Sequence, residues 1–231
     1  GKKNIKPFKY NIPTDISSSA FFIVLTALSN NSKLRIKNVN VNPTRTGILK
    51  ILKKMGVKIK LDNYKIYKGE KTADLIIKST NSLKAINCPI KLNSAAIDEF
   101  LLIFLVAAKA KGTSYFKDLS ELNQKESPRL FWGSKILNKI GIKNILKKDS
   151  IKIYGNPNLK VKKKVIIRKF LKDHRVFMTS VVAALTLGGE WSISSKDSVK
   201  TSFPSFIDRI KSLGGEISWF FDKKTPKNCR F

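Results

Sequence analysis

The chain has 231 residues, with 46 Lys+Arg against 16 Asp+Glu and a formal net charge of +30. Hydrophobic residues reach 42%, enough to build a core and to exclude global disorder. The longest apolar run, 100–108, is about half the ~20 residues that span a bilayer, and two cysteines with one histidine exclude a disulfide framework and a His-rich metal site.

Such a charge attracts anions. Only seven of the cations are Arg, however, and the rest are Lys scattered through every segment. Together with abundant Asn and Ile, this reads as an A/T-rich coding bias rather than a selected patch. Aromatic residues do not alternate with the lysines as base-stacking platforms would, so no nucleic-acid partner is expected. Each Arg is the more informative cation, because its planar fork binds carboxylate and phosphate in two-point geometry. The opening GKKNIKPF has neither an initiator Met nor an apolar signal core. The scarcity of cysteine suits a reducing, cytoplasmic compartment.

In chain order, one unit appears three times. The first begins at DISSS (15–19), continues in a helix AFFIVLTAL, and turns into a strand over 34–39. The loop VNPTRTG (41–47) leads to a second helix that stops at Gly56, and the strands VKIKL and NYKIYKG follow. The second unit starts at 94–99, runs as a helix to about Ala110, turns at Gly112 and forms a strand TSYFKDL. Its loop SELNQKES precedes a helix over 128–140 that stops at Gly141, with strands near 144–146 and 150–154. Residues 157–170 join it to the third unit. That unit starts at 172–175, runs as a helix VFMTSVVAAL, turns at Gly188-Gly189 and forms a strand EWSISS. The loop KDSVKTSFP, a helix over 205–213 stopping at Gly214 and a strand EISWFF complete it.

The three stopping glycines fit left-handed helix C-termini. The first helix of each unit is apolar nearly all round and is expected inside; the second has a charged face and is expected outside. The fold class is therefore α/β (α+β), one domain of three βαβαββ repeats around buried helices, with sheets outside. The repeats are placed at 15–75, 76–156 and 157–221, and 222–231 is read as a polar, frayed tail.

Asp15, Asp98 and Asp173 each stand at or near the start of a buried helix. A helix cap explains Asp15. Asp98-Glu99 puts two acids into a strongly apolar helix, where charge is costly unless paired. In KESPRL, Ser127 fits the N-cap and Pro128 the first helical position, which sets Lys125, Glu126 and Arg129 at an anion-favouring helix end. Arg175, in the first turn after Asp173, opposes the helix dipole unless an anion lies between it and the helix end. His174 reads as a packed residue rather than a base, and Arg45 as part of an ordinary helix entrance.

Six stretches stand in order: PTDISSSAFF (13–22), NPTRTGIL (42–49), IDEFLLIFLVAAKAKGTS (97–114), ELNQKESPRL (121–130), DHRVFM (173–178) and TSFPSFIDRIKSLGGEI (201–217). Over about residues 10–220 they resemble the C-terminal half of the EPSP synthase (3-phosphoshikimate 1-carboxyvinyltransferase) family. The resemblance implies the enolpyruvyl transferase fold, an inside-out α/β barrel whose two domains each hold three βαβαββ units. It implies transfer of the enolpyruvyl group of phosphoenolpyruvate to the 5-hydroxyl of shikimate 3-phosphate, with release of phosphate, on the route to chorismate and aromatic amino acids.

It further implies a cytoplasmic monomer with no metal or organic cofactor and no membrane or nucleic-acid partner. Position by position, Asp98 matches the aspartate on the shikimate hydroxyls that is the proposed base. Lys125 matches the lysine near that hydroxyl and the leaving phosphate, and Glu126 the acid that moves a proton at the methylene carbon. Arg129 and Arg175 match the two arginines that hold the phosphoenolpyruvate carboxylate. Thr14, Leu101, Pro128 and Thr201 depart from the family pattern, and Lys200 stands one position from a phosphate-binding lysine. Residues 1–14 are then a linker from a missing N-terminal half, which is the expected partner, and the chain alone is expected to turn over little substrate. Two rival readings are the sister enolpyruvyl transferase acting on UDP-N-acetylglucosamine and a non-catalytic basic RNA-binding module of the same fold.

Overall fold

A computed structural model describes residues 7–222 and 225–230, and side chains as far as residue 218. Residues 1–6 of the expected linker, and 223, 224 and 231 of the expected tail, lie outside the described residues.

Three helices form the centre: α1 (Ile16–Leu28), α3 (Phe100–Lys109) and α5 (His174–Leu187). All three pack against one another. Every residue of α3 from Phe100 to Ala108 is buried, as the unbroken apolar run requires. The second helices, α2 (Gly47–Lys54), α4 (Arg129–Lys139) and α6 (Phe206–Ser212), bury one face only. Gly56, Gly141 and Gly214 have φ of +92°, +83° and +87°. In each case the following N–H returns to a carbonyl five residues back: Val57 to Leu52 (2.9 Å), Ile142 to Leu137 (2.9 Å) and Gly215 to Ile210 (3.0 Å). The three helix stops therefore have the same closed geometry.

The strands are β1 (Lys33–Asn40), β2 (Lys58–Tyr67), β3 (Glu70–Lys78), β4 (Gly112–Phe116), β5 (Asn144–Leu146), β6 (Ile151–Gly155), β7 (Val165–Ile167), β8 (Trp191–Ile193), β9 (Ser218–Asp222) and β10 (Thr225–Arg230). They form three sheets, ordered β1-β3-β2, β4-β6-β5 and β7-β8-β10-β9. In each, the last strand of the unit sits between the two before it and pairs antiparallel with both. Among the described residues, the leading strand of the βαβαββ pattern is fully formed only as β7, parallel to β8. In the first unit it shrinks to a parallel bridge from Thr14 to Val39, and in the second to bridges from Lys84 to Lys111 and Asn87 to Tyr115.

Four expectations about elements need correction. VKIKL and NYKIYKG are one strand, β2, bent by a register shift between Asp62 and Lys65, where Asn63 takes φ +50°. EKTADLIIK, for which no element is expected, forms β3, and the boundary expected at 75/76 falls inside it. Its residues 72–75 are all buried: β1 and β2 flank them, Ala73 and Leu75 face the core, and Asp74 is covered by the Arg35, Asn63 and Asn38 N–H donors that bond it. The joining segment 157–170 contains β7. Residues 225–230, expected to be frayed, form β10, which takes the central place that β3 and β6 take in the other units.

The acids expected at the head of α3 lie instead on a 3-10 turn, Ser94–Glu99, that precedes it. Gly47, the first residue of α2, rests on this turn: a Cβ there would lie 2.6 Å from the carbonyl carbon of Ala95 and 2.7 Å from its oxygen. Backbone cannot yield as a side-chain tip can, so Gly47→Ala is expected to cost about 1–3 kcal/mol. Urea unfolding of the variant checks this; an unchanged midpoint would show that the turn moves freely.

Candidate active site

The polar residues singled out from the sequence meet where α1, α3 and α5 begin. Arg129 is at the centre, at the start of α4 and only 1% exposed. Its Nε donates to Asp173 Oδ2 (2.9 Å) and its Nη2 to Asp173 Oδ1 (3.4 Å), a two-point pairing. Nη1 donates to Asp98 Oδ1 (3.1 Å), and Nη2 also donates to Glu126 Oε2. Lys125 Nζ lies 3.5 Å from Asp98 Oδ1 and 3.0 Å from Glu121 Oε1. Arg175 Nη1 donates to the Asp98 carbonyl (3.1 Å) and to Glu99 Oε1 (3.3 Å). Asp98, Lys125, Glu126, Arg129 and Arg175 thus form one connected group drawn from three separate stretches of chain.

Asp173 organises two of those stretches. It caps α5, accepting from Arg175 N (2.8 Å) and Val176 N (3.4 Å), while Ser127 Oγ donates to its Oδ2 (2.8 Å). Ser127 is therefore not the α4 cap expected of it. Pro128 precedes the first helical residue, Arg129, with no side-chain cap bond. A fully buried carboxylate is costly without donors, and Ser127 supplies one. Asp15 caps α1 as expected, accepting from Ser18 N (2.8 Å). The Arg175 guanidinium is paired with Glu99, and the anion at its helix end is the capping Asp173.

The protonation states follow from these contacts. Burial pushes Asp98 upward, but the charges of Arg175, Lys125 and Arg129 together outweigh it and hold its carboxyl below the usual range. Asp173 behaves likewise: burial opposes ionisation, and the Arg129 hydrogen bonds and charge prevail. Glu99 goes the other way, because its burial outweighs Arg175 and Ser17 and raises its pKa. Lys125 is raised: burial works against its charge, and Glu121 and Asp98 overcome it. His174, half-buried beside Arg175, is lowered by burial first and by that cation second; its Nδ1 stands 3.8 Å from Glu126 Oε1. The Glu126 side chain is 52% exposed, so it can swing away from Arg129.

Sequence reasoning missed the part played by Asp173 beneath Arg129, and also Ser17, whose Oγ donates to Glu99 Oε1 (2.6 Å) and accepts from Arg45 Nη2 (3.2 Å). Only the placement of Asp173 next to Arg175 hinted at the first, and nothing hinted at the second. The departing residues have ordinary places. Thr14 bonds Lys37 O (3.0 Å), and Leu101 is core. Lys200 is exposed, paired with Asp197 at 3.0 Å and bonded to no member of the group. No helix among the described residues is long and apolar enough to cross a membrane.

A family profile described as EPSP synthase (3-phosphoshikimate 1-carboxyvinyltransferase) matches residues 1–210. A 3-phosphoshikimate 1-carboxyvinyltransferase of Ruthia magnifica subsp. Calyptogena magnifica is 38% identical over 218 residues, 94% of this chain and 49% of that protein. The EPSP synthase structure from Acinetobacter baumannii superposes with a TM-score of 0.81 at 34% identity, covering 87% of this chain and 46% of that one. The enolpyruvyl transferase NikO from Streptomyces tendae shares the fold at a TM-score of 0.66 and 13% identity. The chain spans about half the length of the curated relatives it matches. Three sheets around three buried helices, six collinear motifs and a profile match over most of its length place the chain in the EPSP synthase family.

Proposed function

We propose that this chain supplies one wall of an active site that transfers the enolpyruvyl group of phosphoenolpyruvate to the 5-hydroxyl of shikimate 3-phosphate. The observation that carries the reading is the contact of Asp98, Lys125, Glu126, Arg129 and Arg175 in one group. Two guanidiniums suit a planar carboxylate. Asp98, held ionised, takes the proton of the attacking hydroxyl, while Glu126 delivers one to the methylene carbon and accepts it back as phosphate leaves. Lys125, held charged, neutralises the departing phosphate. The partner is the N-terminal half of such an enzyme, which supplies the rest of the substrate contacts; the half-length match to the relatives supports this.

The test is a coupled phosphate-release assay on the chain with and without an EPSP synthase N-terminal half. Turnover is expected only with both halves and with shikimate 3-phosphate, not UDP-N-acetylglucosamine, as acceptor. Arg175→Ala is expected to lower kcat/KM by about 30- to 5000-fold, corresponding to about 2–5 kcal/mol for a desolvated anion left unpaired. Full turnover by the chain alone, or none in the mixture, would refute the reading.

A further inference from the structure

The two arginines of the site are not equivalent. A guanidinium offers a side-on fork, formed by Nε and Nη2, that matches a carboxylate. The fork of Arg129 is already occupied by both oxygens of the buried Asp173. In Arg175, both hydrogens of Nη1 are committed, one to the Asp98 carbonyl and one to Glu99 Oε1. Its Nε and Nη2 have no hydrogen-bond partner among the described residues, and its side chain remains 13% exposed. Arg175 therefore presents the open fork.

Its aim is fixed by Glu99. That side chain is 4% exposed and belongs to the second unit, but it is bonded to the other two: Ser17 of α1 donates to Oε1 at 2.6 Å, and Arg175 of α5 donates to the same oxygen at 3.3 Å. Ser17 is in turn held by Arg45 at 3.2 Å. A buried acid is expensive to keep, and a cap on the turn would not require one at this depth. The backbone carbonyl of Asp98 alone would leave the guanidinium free to pivot about a single contact; the second acceptor removes that freedom.

We infer that Glu99 is a positioning residue: by holding Nη1 it turns the Nε–Nη2 edge of Arg175 toward the ligand, so that a small carboxylate is received there in two-point geometry. This rests on the proposed reading of the site, but it is tested without turnover. The probe is pyruvate, titrated into the 231-residue chain and followed by NMR at the Arg175 Nε–H, assigned with Arg175→Lys. The wild type is expected to show a saturable shift at Arg175 and a smaller one at Arg129.

Glu99→Ala is expected to weaken pyruvate binding about tenfold, the worth of one charge-assisted hydrogen bond. Glu99→Gln keeps the acceptor oxygen without the charge and is expected to stay within about threefold of wild type. Glu99→Asp keeps the charge but withdraws the acceptor by one methylene, and is expected to weaken binding by about three- to tenfold; it serves if the alanine variant does not fold. An Asp variant that binds like wild type, a Gln variant as weak as Ala, or a pyruvate shift at Arg129 but not at Arg175 would each overturn the inference. These outcomes stand apart from phosphate release, which decides the reading of the site itself.

Discussion

Replacing Arg129 by alanine is expected to destabilise the chain by about 3–5 kcal/mol, because it leaves a fully buried carboxylate without its cation. Arg129 and Asp173 have side chains 2% and 0% exposed and contact each other at 2.9 Å. The loss is not confined to that pair. Asp98 and Glu126 release their shared donor, and Ser127 and the α5 cap are left around an uncompensated charge. Urea unfolding read by circular dichroism measures the effect, and turnover with the N-terminal half should vanish. Arg129→Lys is expected to recover little, since an ammonium cannot span both oxygens of Asp173. A variant as stable as wild type would show that the buried pair breaks even with its desolvation and that the site is not built on it.

Asp173→Asn is expected to cost about 2–3 kcal/mol, less than Arg129→Ala because the amide keeps the shape and one acceptor. Its pH dependence is the sharper test. The folded pKa of Asp173 lies below its unfolded value, so its contribution is complete above about pH 4 and is lost as the pH falls through the folded value. The gap between wild type and Asp173→Asn should therefore be constant at neutral pH and should narrow in acid below about pH 4. Glu99 acts in the opposite sense: its raised pKa makes the folded state bind the proton more tightly, so its ionisation weakens the fold as the pH rises through that value. A gap that widens in acid would contradict the pairing of Asp173 with Arg129.

The helices were legible because their signals are local. An apolar run such as 100–108, a cap such as Asp15 and a stop such as Gly56 each act over a few residues. The strands β3 and β7 were not. In β3 the polar–apolar alternation lasts only from Thr72 to Leu75 before Ile76-Ile77 breaks it, and β7 has only three residues, whose partners in β8 lie more than twenty residues away. The site was legible as a set of residue types but not as a network. Ser127 has the right place for a helix cap, and only the arrival of Asp173 from 46 residues onward diverts it. In the same way, nothing near Ser17 announces Glu99, 82 positions later. The roles came from resemblance to a family, and the contacts came from the fold.

Each sheet seats its last-made strand in the middle. As the chain leaves the ribosome, β1 and β2 emerge with no bond between them and wait for β3; β4 and β5 wait likewise for β6. A nascent unit therefore exposes separated edges until its final segment is translated, when both ladders close at once. Assembly should proceed unit by unit in steps, and a stop codon just upstream of a closing strand should be more damaging than its few missing residues suggest.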